Sequence, residues 1–528
     1  MSVLPRVEAA SPSGVTERLS YSRASLVAVL VAMAVFGMGV GLWKFSVAMA
    51  TPAGVATVKT STWYAPYVDV TLPPTYNFQD TTQVGANNVV LGFVVGGGST
   101  GCTPLWGGSY DFQQAALKLD LDRRIVRLRQ AGGDVVVSFG GAVNTELASS
   151  CTDTAALAQA YSSVIDHYGV STIDFDLEGK NLTDIPAGVR RAHALAAIEG
   201  SERARGEQLN VWVTLGVTPT GLPADEITAL DQLLTARVQL AGVNLLTMNY
   251  GASRPANQSM ADASMAALRA SAGQINQLYQ AYGVHLSTKE LHRMLGITPM
   301  IGQNSVLSDK FSLADATTFY NEALGYGVGR LSMWSLNRDT PCGGNANQSI
   351  ASNWCSGVIQ EPLAFSHLFA SDTVPLPSSK LPRSTTLLGW SDTAVLGHAP
   401  YDQWRQLREY VPGARVVWDG QVYQAKWWNV GQLPDAVVAH EWDSPWVVLG
   451  PVLPDEATTT TVPVGAAPQW VSSVNYSYGT RVERHGIIYT AQWQNQGYDP
   501  ASDPDNTWQN PWTPLSPAPG SDYAGANS

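Results

Sequence analysis

The sequence predicts an α/β fold, a (β/α)8 TIM barrel, followed by two small all-β modules. Three observations support this prediction. Short apolar runs alternate with helical segments in the middle of the chain, a tryptophan-rich repeat occupies its end, and linkers rich in Pro, Ser and Thr separate the parts. The chain has 528 residues, and 11 of its 17 tryptophans lie at or after Trp390.

The first 50 residues contain one long hydrophobic segment. Residues 24–43 are uncharged over 20 positions, enough for a helix that spans a bilayer. Ala48, Met49 and Ala50 then form an A-x-A cleavage pattern. We expect an exported protein, either released as an extracellular enzyme or anchored to the outer face of the cell membrane. This segment is its only expected contact with a membrane.

Eight apolar runs read as strands and predict a barrel over residues 60–372. They are residues 67–72, 88–95, 134–140, 171–178, 210–217, 242–250, 292–300 and 329–336. Segments with helical periodicity, such as 153–168 and 260–282, lie between them. In such a barrel the chemistry lies at the carboxyl ends of the strands. Polar or aromatic side chains end several of the runs, among them Ser138, Glu178, Asn249, Gln303 and Trp334.

Four cysteines in an exported chain favour two disulfides, for which three pairings are possible. Cys102 and Cys151 follow the second and third predicted strands, whose loops are neighbours in a barrel. Cys342 and Cys355 lie in one loop after the eighth strand. The layout therefore favours Cys102–Cys151 and Cys342–Cys355.

Two copies of one sequence unit follow the barrel at a constant offset of 66 residues. We assign a linker at 373–397, a first module at 398–452, a linker at 453–467, a second module at 468–516 and a tail at 517–528. Part of each aromatic set is core, but units this small cannot bury every aromatic residue, so others should be exposed. The candidate binding aromatics are Tyr423, Trp427, Trp428, Trp442, Tyr489, Trp493 and Trp508.

The fourth predicted strand carries three acids on one face. Asp174, Asp176 and Glu178 alternate with apolar residues in IDFDLE, so all three point into the barrel. Like charges this close cannot all ionise freely, and a retained proton suits a general acid. The alternative is a structural salt-bridge cluster or a metal site, but no histidine or fourth acid is nearby in the strand. The net charge of −12 argues against nucleic acid as a partner.

The run IDFDLE resembles the D-x-x-D-x-D-x-E signature of family 18 glycoside hydrolases, the chitinases and endo-β-N-acetylglucosaminidases. Ser138 to Gly141 resembles that family's S-x-G-G, Met248 to Tyr250 its M-x-Y, and Trp334 its strand-eight tryptophan. The terminal repeats resemble chitin-binding modules of carbohydrate-binding families 5 and 12, with the A-K-W-W hallmark at residues 425–428.

The resemblance implies a role for each matching residue. Glu178 would be the general acid and base, Asp176 would orient the substrate's acetamido group, Asp174 would share its proton, and Tyr250 would donate to the acetamido oxygen. The sugar pocket would be lined by Met248, Asn249, Trp334, Ser138, Gly140 and Gln303. Ser138 and Gly140 would leave room for the sugar, although tight packing explains these small residues equally well. The resemblance further implies a substrate-assisted, retaining mechanism, and we expect neither a cofactor nor a metal.

Two positions depart from the family pattern, and two other functions stay open. The family's first Asp is Ser171 here, and the Asp that often follows its strand-six tyrosine is Gly251. We expect a monomeric chitinase that acts on chitin or a related N-acetylglucosamine polysaccharide. The alternatives are a chitin-binding lectin without activity, which typically loses the acid at the Glu178 position, and an endo-β-N-acetylglucosaminidase that acts on other glycans.

Overall fold

We describe the fold from a computed structural model of the chain. It describes residues 62–81, 86–99, 101–343, 350–374, 376, 401–438, 440–453, 468–477, 480–484, 487–491, 493–500 and 511–517. All of them belong to one structural unit that runs from Thr60 to Ser528. Within those ranges, every helix is too short or too polar to cross a bilayer. The predicted hydrophobic segment 24–43 lies outside the described residues.

Nine parallel strands and one antiparallel strand form the main sheet. The strands of this region are, in chain order, β1 (Trp63–Tyr64), β2 (Tyr67–Asp69), β3 (Asn88–Gly97), β4 (Thr103–Trp106), β5 (Asp134–Gly140), β6 (Thr172–Leu177), β7 (Asn210–Gly216), β8 (Leu240–Leu246), β9 (Leu295–Thr298), β10 (Gly302–Gln303), β11 (Lys310–Phe311) and β12 (Arg330–Leu331). Across the sheet the order is β1-β12-β9-β8-β7-β6-β5-β3-β2, and β4 pairs antiparallel with β3. Each of the eight predicted strand segments contains a strand.

The first strand consists of two pieces, β1 and β2, which are separated by Ala65 and Pro66. The β1 piece pairs with β12, and the β2 piece pairs with β3. The Tyr67 N–H still donates to the Met333 carbonyl at 3.0 Å, so the first strand bonds to both the last strand and the second. This connection is consistent with a (β/α)8 barrel.

Helices connect the parallel strands, as the alternating pattern predicts. They are α1 (Phe112–Leu119), α2 (Leu121–Gln130), α3 (Leu147–Ser150), α4 (Thr154–Tyr168), α5 (Gly179–Thr183), α6 (Ile185–Ala204), α7 (Ala224–Thr235), α8 (Met260–Ala281), α9 (Thr288–Arg293), α10 (Leu313–Tyr326) and α11 (Ala364–Ala370). Short 3-10 turns cover Gly251–Ser253, Leu336–Arg338 and Glu441–Asp443. Local sequence sets the ends of α4, where the Asp153 side chain accepts from the Ala156 N–H and Gly169 takes a left-handed φ of 58°.

Apolar side chains pack on both faces of the sheet. On the outer face, the Phe139 ring stacks on Phe175 at 5.0 Å, and the Tyr161 ring of α4 meets both edge-on. A separate buried cluster contains Trp63, Ala65, Tyr67, Val90, Val136, Trp212 and Leu376, with Phe93 and Trp334 packed against it. Phe175 therefore packs against a helix, as the alternation in β6 predicts, and the inner cluster is rich in aromatic rings.

Both predicted disulfides are present. Cys102 and Cys151 join the loops that follow β3 and β5, with their Cα atoms 4.6 Å apart. Cys342 and Cys355 close a short segment after β12, with their Cα atoms 5.1 Å apart. The strand layout thus selects the correct pairing among the three possible ones.

Two small β units follow the barrel and share one architecture. The first contains β13 (Glu409–Tyr410), β14 (Arg415–Trp418), β15 (Gln421–Ala425), β16 (Asn429–Val430) and β17 (Trp446–Pro451). The second contains β18 (Asn475–Tyr476), β19 (Arg481–Arg484), β20 (Ile487–Ala491), β21 (Asn495–Gln496) and β22 (Trp512–Pro517). Strand pairing matches at the offset of 66, including a register shift after Val422 in β15 and after Ile488 in β20.

The aromatic residues of the small units divide into core and surface. Tyr423 and Tyr489 are buried in the cores of their units, so they are structural rather than available to a ligand. Trp427, Trp428 and Trp442 of the first unit are 42%, 53% and 68% exposed. Trp493 of the second unit is exposed as well, together with Tyr498, which is not among the residues predicted from the sequence. Trp508 lies outside the described residues.

The first small unit packs directly on helix α2 of the barrel. Asp120, just before α2, pairs with Arg123 and with Arg415 of the unit at 2.8 Å each. Asp120 also accepts from the Tyr401 hydroxyl at 2.9 Å, and Arg123 donates to the Pro451 carbonyl at 2.9 Å. We call Asp120, Arg123, Tyr401 and Arg415 the docking cluster. The unit is therefore seated on the barrel by buried charged contacts.

Candidate active site

The three acids of β6 occupy successive depths on one face. Asp174 and Asp176 are buried, whereas Glu178 is partly exposed at the point where β6 ends and the short helix α5 begins. The register places Asp174 beside Ser138 of β5 and Asp176 beside Gly140. Because carboxyl ends of the strands form the catalytic face in such barrels, Glu178 is the acid placed nearest a ligand. We call these three residues the acid column.

Asp174 is surrounded by hydrogen-bond donors. Its Oδ2 accepts from the Tyr67 hydroxyl at 2.8 Å and from the Ser138 hydroxyl at 2.7 Å. Its Oδ1 accepts from the Thr214 hydroxyl at 2.6 Å and from Arg330 Nη1 at 2.7 Å. An ionised carboxyl group is an acceptor only, with about four lone-pair sites. The environment of Asp174 therefore fits a carboxylate rather than a carboxylic acid.

The cation that balances Asp174 is Arg330, at the start of β12. Both side chains of this ion pair are fully buried. The Arg330 guanidinium carbon lies 5.3 Å from the Trp63 ring, 5.5 Å from the Tyr67 ring and 5.5 Å from the Trp212 ring. Aromatic rings at these distances attract a cation through their negative faces. Arg330 is thus held between an anion and three rings at the bottom of the acid column.

Asp176 and Glu178 sit in an environment that favours protonation. Burial raises the pKa of Asp176 well above its usual range, and the charges of Glu178 and Asp174 raise it further, although Arg330 opposes them. Burial also raises the pKa of Glu178. The Oδ1 of Asp176 has no hydrogen-bond partner within the described residues. The upper column therefore retains protons at pH values where exposed carboxyl groups are ionised, as a general acid requires.

Aromatic rings lie beside the column. The Trp334 ring stacks on Phe93 at 5.6 Å with an interplanar angle of 18°, and it lies 5.9 Å from the Tyr67 ring. Tyr67 joins this group to Asp174 through its hydroxyl. The predicted apolar residue Trp334 is thereby linked to the acids through one shared neighbour.

Ser138 and Gly140 act in the packing of β5 against β6. Ser138 is fully buried and donates to Asp174, so it is part of the charge network around that carboxylate. Gly140 has a φ of +98°, and a Cβ there would lie 2.2 Å from the Asp176 carbonyl oxygen. Tight packing, the alternative that the sequence left open, accounts for Gly140.

The other predicted pocket residues are not joined to the acids by any described contact. Gln303 is buried, and its amide donates to the carbonyls of Asn304, Leu307 and Asp309, so it supports a loop and is not free for substrate. Met248 is partly buried. Asn249 is exposed, and its side chain accepts from the Val306 N–H.

Tyr250 lies in the core between the sheet and the helices. Burial raises the pKa of its hydroxyl, which has Ser264 and Thr247 as neighbours. The described contacts do not bring this hydroxyl to the acid column. Its role as a donor to the substrate therefore remains a prediction.

The two departures from the family pattern have local explanations. Gly251 takes a left-handed φ of +54°, which favours glycine, and its N–H donates to Asp309 at 2.8 Å. Asp309 also pairs with Arg254 at 3.0 Å. Ser171 precedes β6, is buried, and its main-chain carbonyl accepts from the Asn210 N–H of β7.

Sequence reasoning missed Tyr67, Thr214 and Arg330. Tyr67 and Thr214 belong to β2 and β7, which lie far from β6 in sequence, so their contact with Asp174 has no local signal. Arg330 did carry a signal. It is a charged residue in an apolar strand segment, and it shares the parity of Trp334, which is predicted to face inward.

Known proteins resemble a little over half of this chain. No protein-family model matches the chain. A probable bifunctional chitinase/lysozyme of Escherichia coli is 33% identical over 316 residues, which cover 59% of this chain and 34% of that protein. Endochitinase 11 of Metarhizium anisopliae is 33% identical over 281 residues, which cover 53% of this chain and 52% of that protein. The chain thus spans about a third and about half of these two relatives.

Solved structures give the same result for the fold. The catalytic domain of a hyperthermophilic chitinase from Pyrococcus furiosus is 27% identical, with a TM-score of 0.51, over 59% of this chain and 95% of that domain. A catalytic-site mutant of active domain 2 of chitinase from Pyrococcus furiosus is 26% identical, with the same TM-score of 0.51. Together, the fold, the acid column and these similarities support a glycoside hydrolase of the chitinase type.

Proposed function

We propose that this protein is a chitinase that hydrolyses β-1,4 links between N-acetylglucosamine units. The observation that carries the proposal is the acid column, in which Asp174 is bound as a carboxylate while burial favours protonated Asp176 and Glu178. The similarity to chitinases supports the choice of substrate.

In this proposal Glu178 protonates the glycosidic oxygen and later activates a water molecule. Burial raises its pKa, so a larger fraction is protonated when substrate arrives. Protonated Asp176 orients the substrate's acetamido group, since the carbonyl oxygen of its carboxyl group accepts a hydrogen bond from the acetamido N–H and so holds that group beneath the anomeric carbon. The acetamido oxygen then attacks that carbon, so no enzyme nucleophile is required and the configuration is retained. Trp334 provides the apolar floor for the distorted sugar, and neither a metal nor a cofactor takes part.

We further propose that the two small β units bind chitin. Trp427 and Trp428 form an exposed pair, and Lys426 lies over the Trp427 ring at 4.8 Å. Exposed tryptophan faces suit stacking on sugar rings, since a flat apolar surface contacts the sugar's C–H groups. The first unit would act as a fixed extension of the barrel because of the docking cluster, and the second would add avidity through its linker. Export through residues 24–43 and a monomeric state are parts of the same proposal.

A comparison of substrates tests the proposed function. The full chain without residues 1–50 is incubated with colloidal chitin, soluble N-acetylglucosamine oligomers and a glycoprotein that carries N-linked glycans. We expect reducing sugar from the first two substrates and an intact glycoprotein. Glycan release without chitin hydrolysis would instead support the endo-β-N-acetylglucosaminidase, and binding to chitin without any hydrolysis would support a lectin.

A further inference from the structure

The buried ion pair of Arg330 and Asp174, at the bottom of the acid column, takes no direct part in the proposed reaction. Arg330 and Asp174 are fully buried and 2.7 Å apart, and Asp174 does not contact the exposed mouth. A buried ion pair contributes little net stability to the fold, because the cost of removing both charges from water offsets much of their attraction. Its position directly below two carboxyl groups that need a proton points to a different role.

The second nitrogen of the guanidinium extends the network. Arg330 Nη1 donates to Asp174 Oδ1, while Nη2 donates to the Tyr67 hydroxyl at 3.1 Å. The Tyr67 hydroxyl in turn donates its proton to Asp174 Oδ2 at 2.8 Å. Both carboxylate oxygens therefore receive donors that depend on Arg330, directly or through Tyr67. A proton added to Asp174 would have to displace one of these donors.

We propose that Arg330 is a positioning residue that keeps Asp174 ionised, so that the one proton held by the two aspartates resides on Asp176, beside Glu178 and the substrate's acetamido group. This inference rests on the proposed chitinase function. The titratable groups that face Asp174 are Tyr67 on β2, Arg330 on β12 and Asp176 on its own strand, and Glu178 in turn acts on Asp176. Arg330 is the cation in this set, and its charge opposes the mutual repulsion of the acids.

Substitution of Arg330 should change the pH dependence of the reaction as well as its rate. An opposite charge at this distance shifts a carboxyl titration by roughly 1–3 pH units. In Arg330→Met, Asp174 competes with Asp176 for the proton, so the acid limb of the kcat/KM profile on soluble oligomers should move to higher pH by about 1 unit or more. Arg330→Lys retains the charge and should leave the acid limb within a few tenths of a unit of the wild type, with a lower kcat because the paired donors to Asp174 and Tyr67 are lost.

Arg338 provides a matched control. It is also buried, but it donates to the carbonyls of Ile301, Gln303 and Ser352 rather than to a carboxylate. Arg338→Met should lower the melting temperature and leave the acid limb in place. If Arg330→Met is folded and its acid limb coincides with that of the wild type, the positioning role is wrong and Arg330 is structural.

A measurement without turnover separates this inference from the proposed function. An NMR titration of isotope-labelled aspartate carboxyls in Glu178→Gln protein, assigned with Asp174→Asn and Asp176→Asn, reports which aspartate holds the proton. We expect the proton shared by the two aspartates to be found on Asp176 when Arg330 is present, and Arg330→Met to transfer part of it to Asp174. A protonated Asp174 in the presence of Arg330 would overturn the inference even if the protein hydrolyses chitin. A wild type without hydrolysis, but with this titration, would overturn only the proposed function.

Discussion

A Cβ atom on Gly140 would lie 2.2 Å from the carbonyl oxygen of Asp176. No side chain fits at this distance, and the backbone φ of +98° at Gly140 is also one that other residues rarely adopt. The contact joins β5 to the centre of the acid column. It therefore fixes how closely the two strands approach at the site.

Gly140→Ala should displace β6 and reduce both stability and activity. We expect the free energy of unfolding to fall by more than the roughly 1–2 kcal/mol that a left-handed alanine costs by itself. The control is Gly132→Ala, since Gly132 has a φ of +84° and a Cβ added there would meet nothing within 4 Å. Urea unfolding and oligomer hydrolysis of the two variants test this. If Gly140→Ala and Gly132→Ala lose the same amount of stability and activity, the close contact between Gly140 and Asp176 does not determine either property.

The raised pKa of Asp176 predicts that the buried acid weakens the fold as pH rises. A carboxyl group whose pKa is higher in the folded state than in the unfolded state binds more protons when folded, so stability falls between the two values as pH increases. Asp176→Asn removes this group. The free energy of unfolding of the variant, relative to that of the wild type, should therefore be higher at pH 8 than at pH 4. Urea unfolding at both pH values tests this.

The control for this pH effect is Asp225→Asn, the same chemical change at an exposed position of α7. It should have nearly the same effect at both pH values. If the free energies of unfolding of Asp176→Asn and the wild type differ by the same amount at pH 4 and pH 8, the raised pKa of Asp176 is contradicted.

Asp120→Asn should release the first small unit from the barrel. The substitution leaves Arg123 and Arg415 without their shared carboxylate, and breaking a buried pair in this way costs about 3 kcal/mol. We expect a single thermal transition of barrel and unit to split into two in calorimetry, with faster proteolysis near residue 400. Asp402→Asn, which breaks the exposed pair with Arg408, is the control and should change neither. Unchanged cooperativity in Asp120→Asn would mean that the docking cluster does not hold the unit.

The surface tryptophans should affect binding to insoluble chitin but not the rate of hydrolysis of soluble oligomers. Trp428→Ala and Trp442→Ala should weaken binding to insoluble chitin by about tenfold together, and should leave kcat on soluble oligomers unchanged. Trp446→Ala is the contrasting variant, because this residue is buried and donates to the Gln432 carbonyl at 2.8 Å, and it should unfold the unit. Wild-type chitin binding by the double variant would exclude this face as the binding surface.

Features with a local signal could be predicted from the sequence. The alternation of IDFDLE indicates the face of each acid, and the loop positions of Cys102 and Cys151 predict a pairing that the structure confirms. The offset of 66 residues predicts the two small units, whose strands match at that spacing. In each case the signal is a periodic pattern or the order of the predicted strands along the chain.

Features that depend on distant contacts could not be predicted in the same way. Arg330 and Asp174 are 156 residues apart, and only the closed arrangement of strands brings them together. Gln303 is predicted to line the pocket because it follows a predicted strand, but β9 ends at Thr298 and Gln303 belongs to the β10–β11 hairpin, where its amide supports the loop. A polar residue at a strand end is therefore insufficient to define a pocket.

Glu178→Gln provides the most direct test of the central claim. The amide keeps the size of the side chain but cannot donate a proton to the leaving oxygen. We predict that kcat on N-acetylglucosamine oligomers falls roughly 100- to 10,000-fold, while binding to insoluble chitin and the melting temperature stay close to wild type. Hydrolysis by Glu178→Gln at the wild-type rate would contradict the assignment of Glu178 as the general acid.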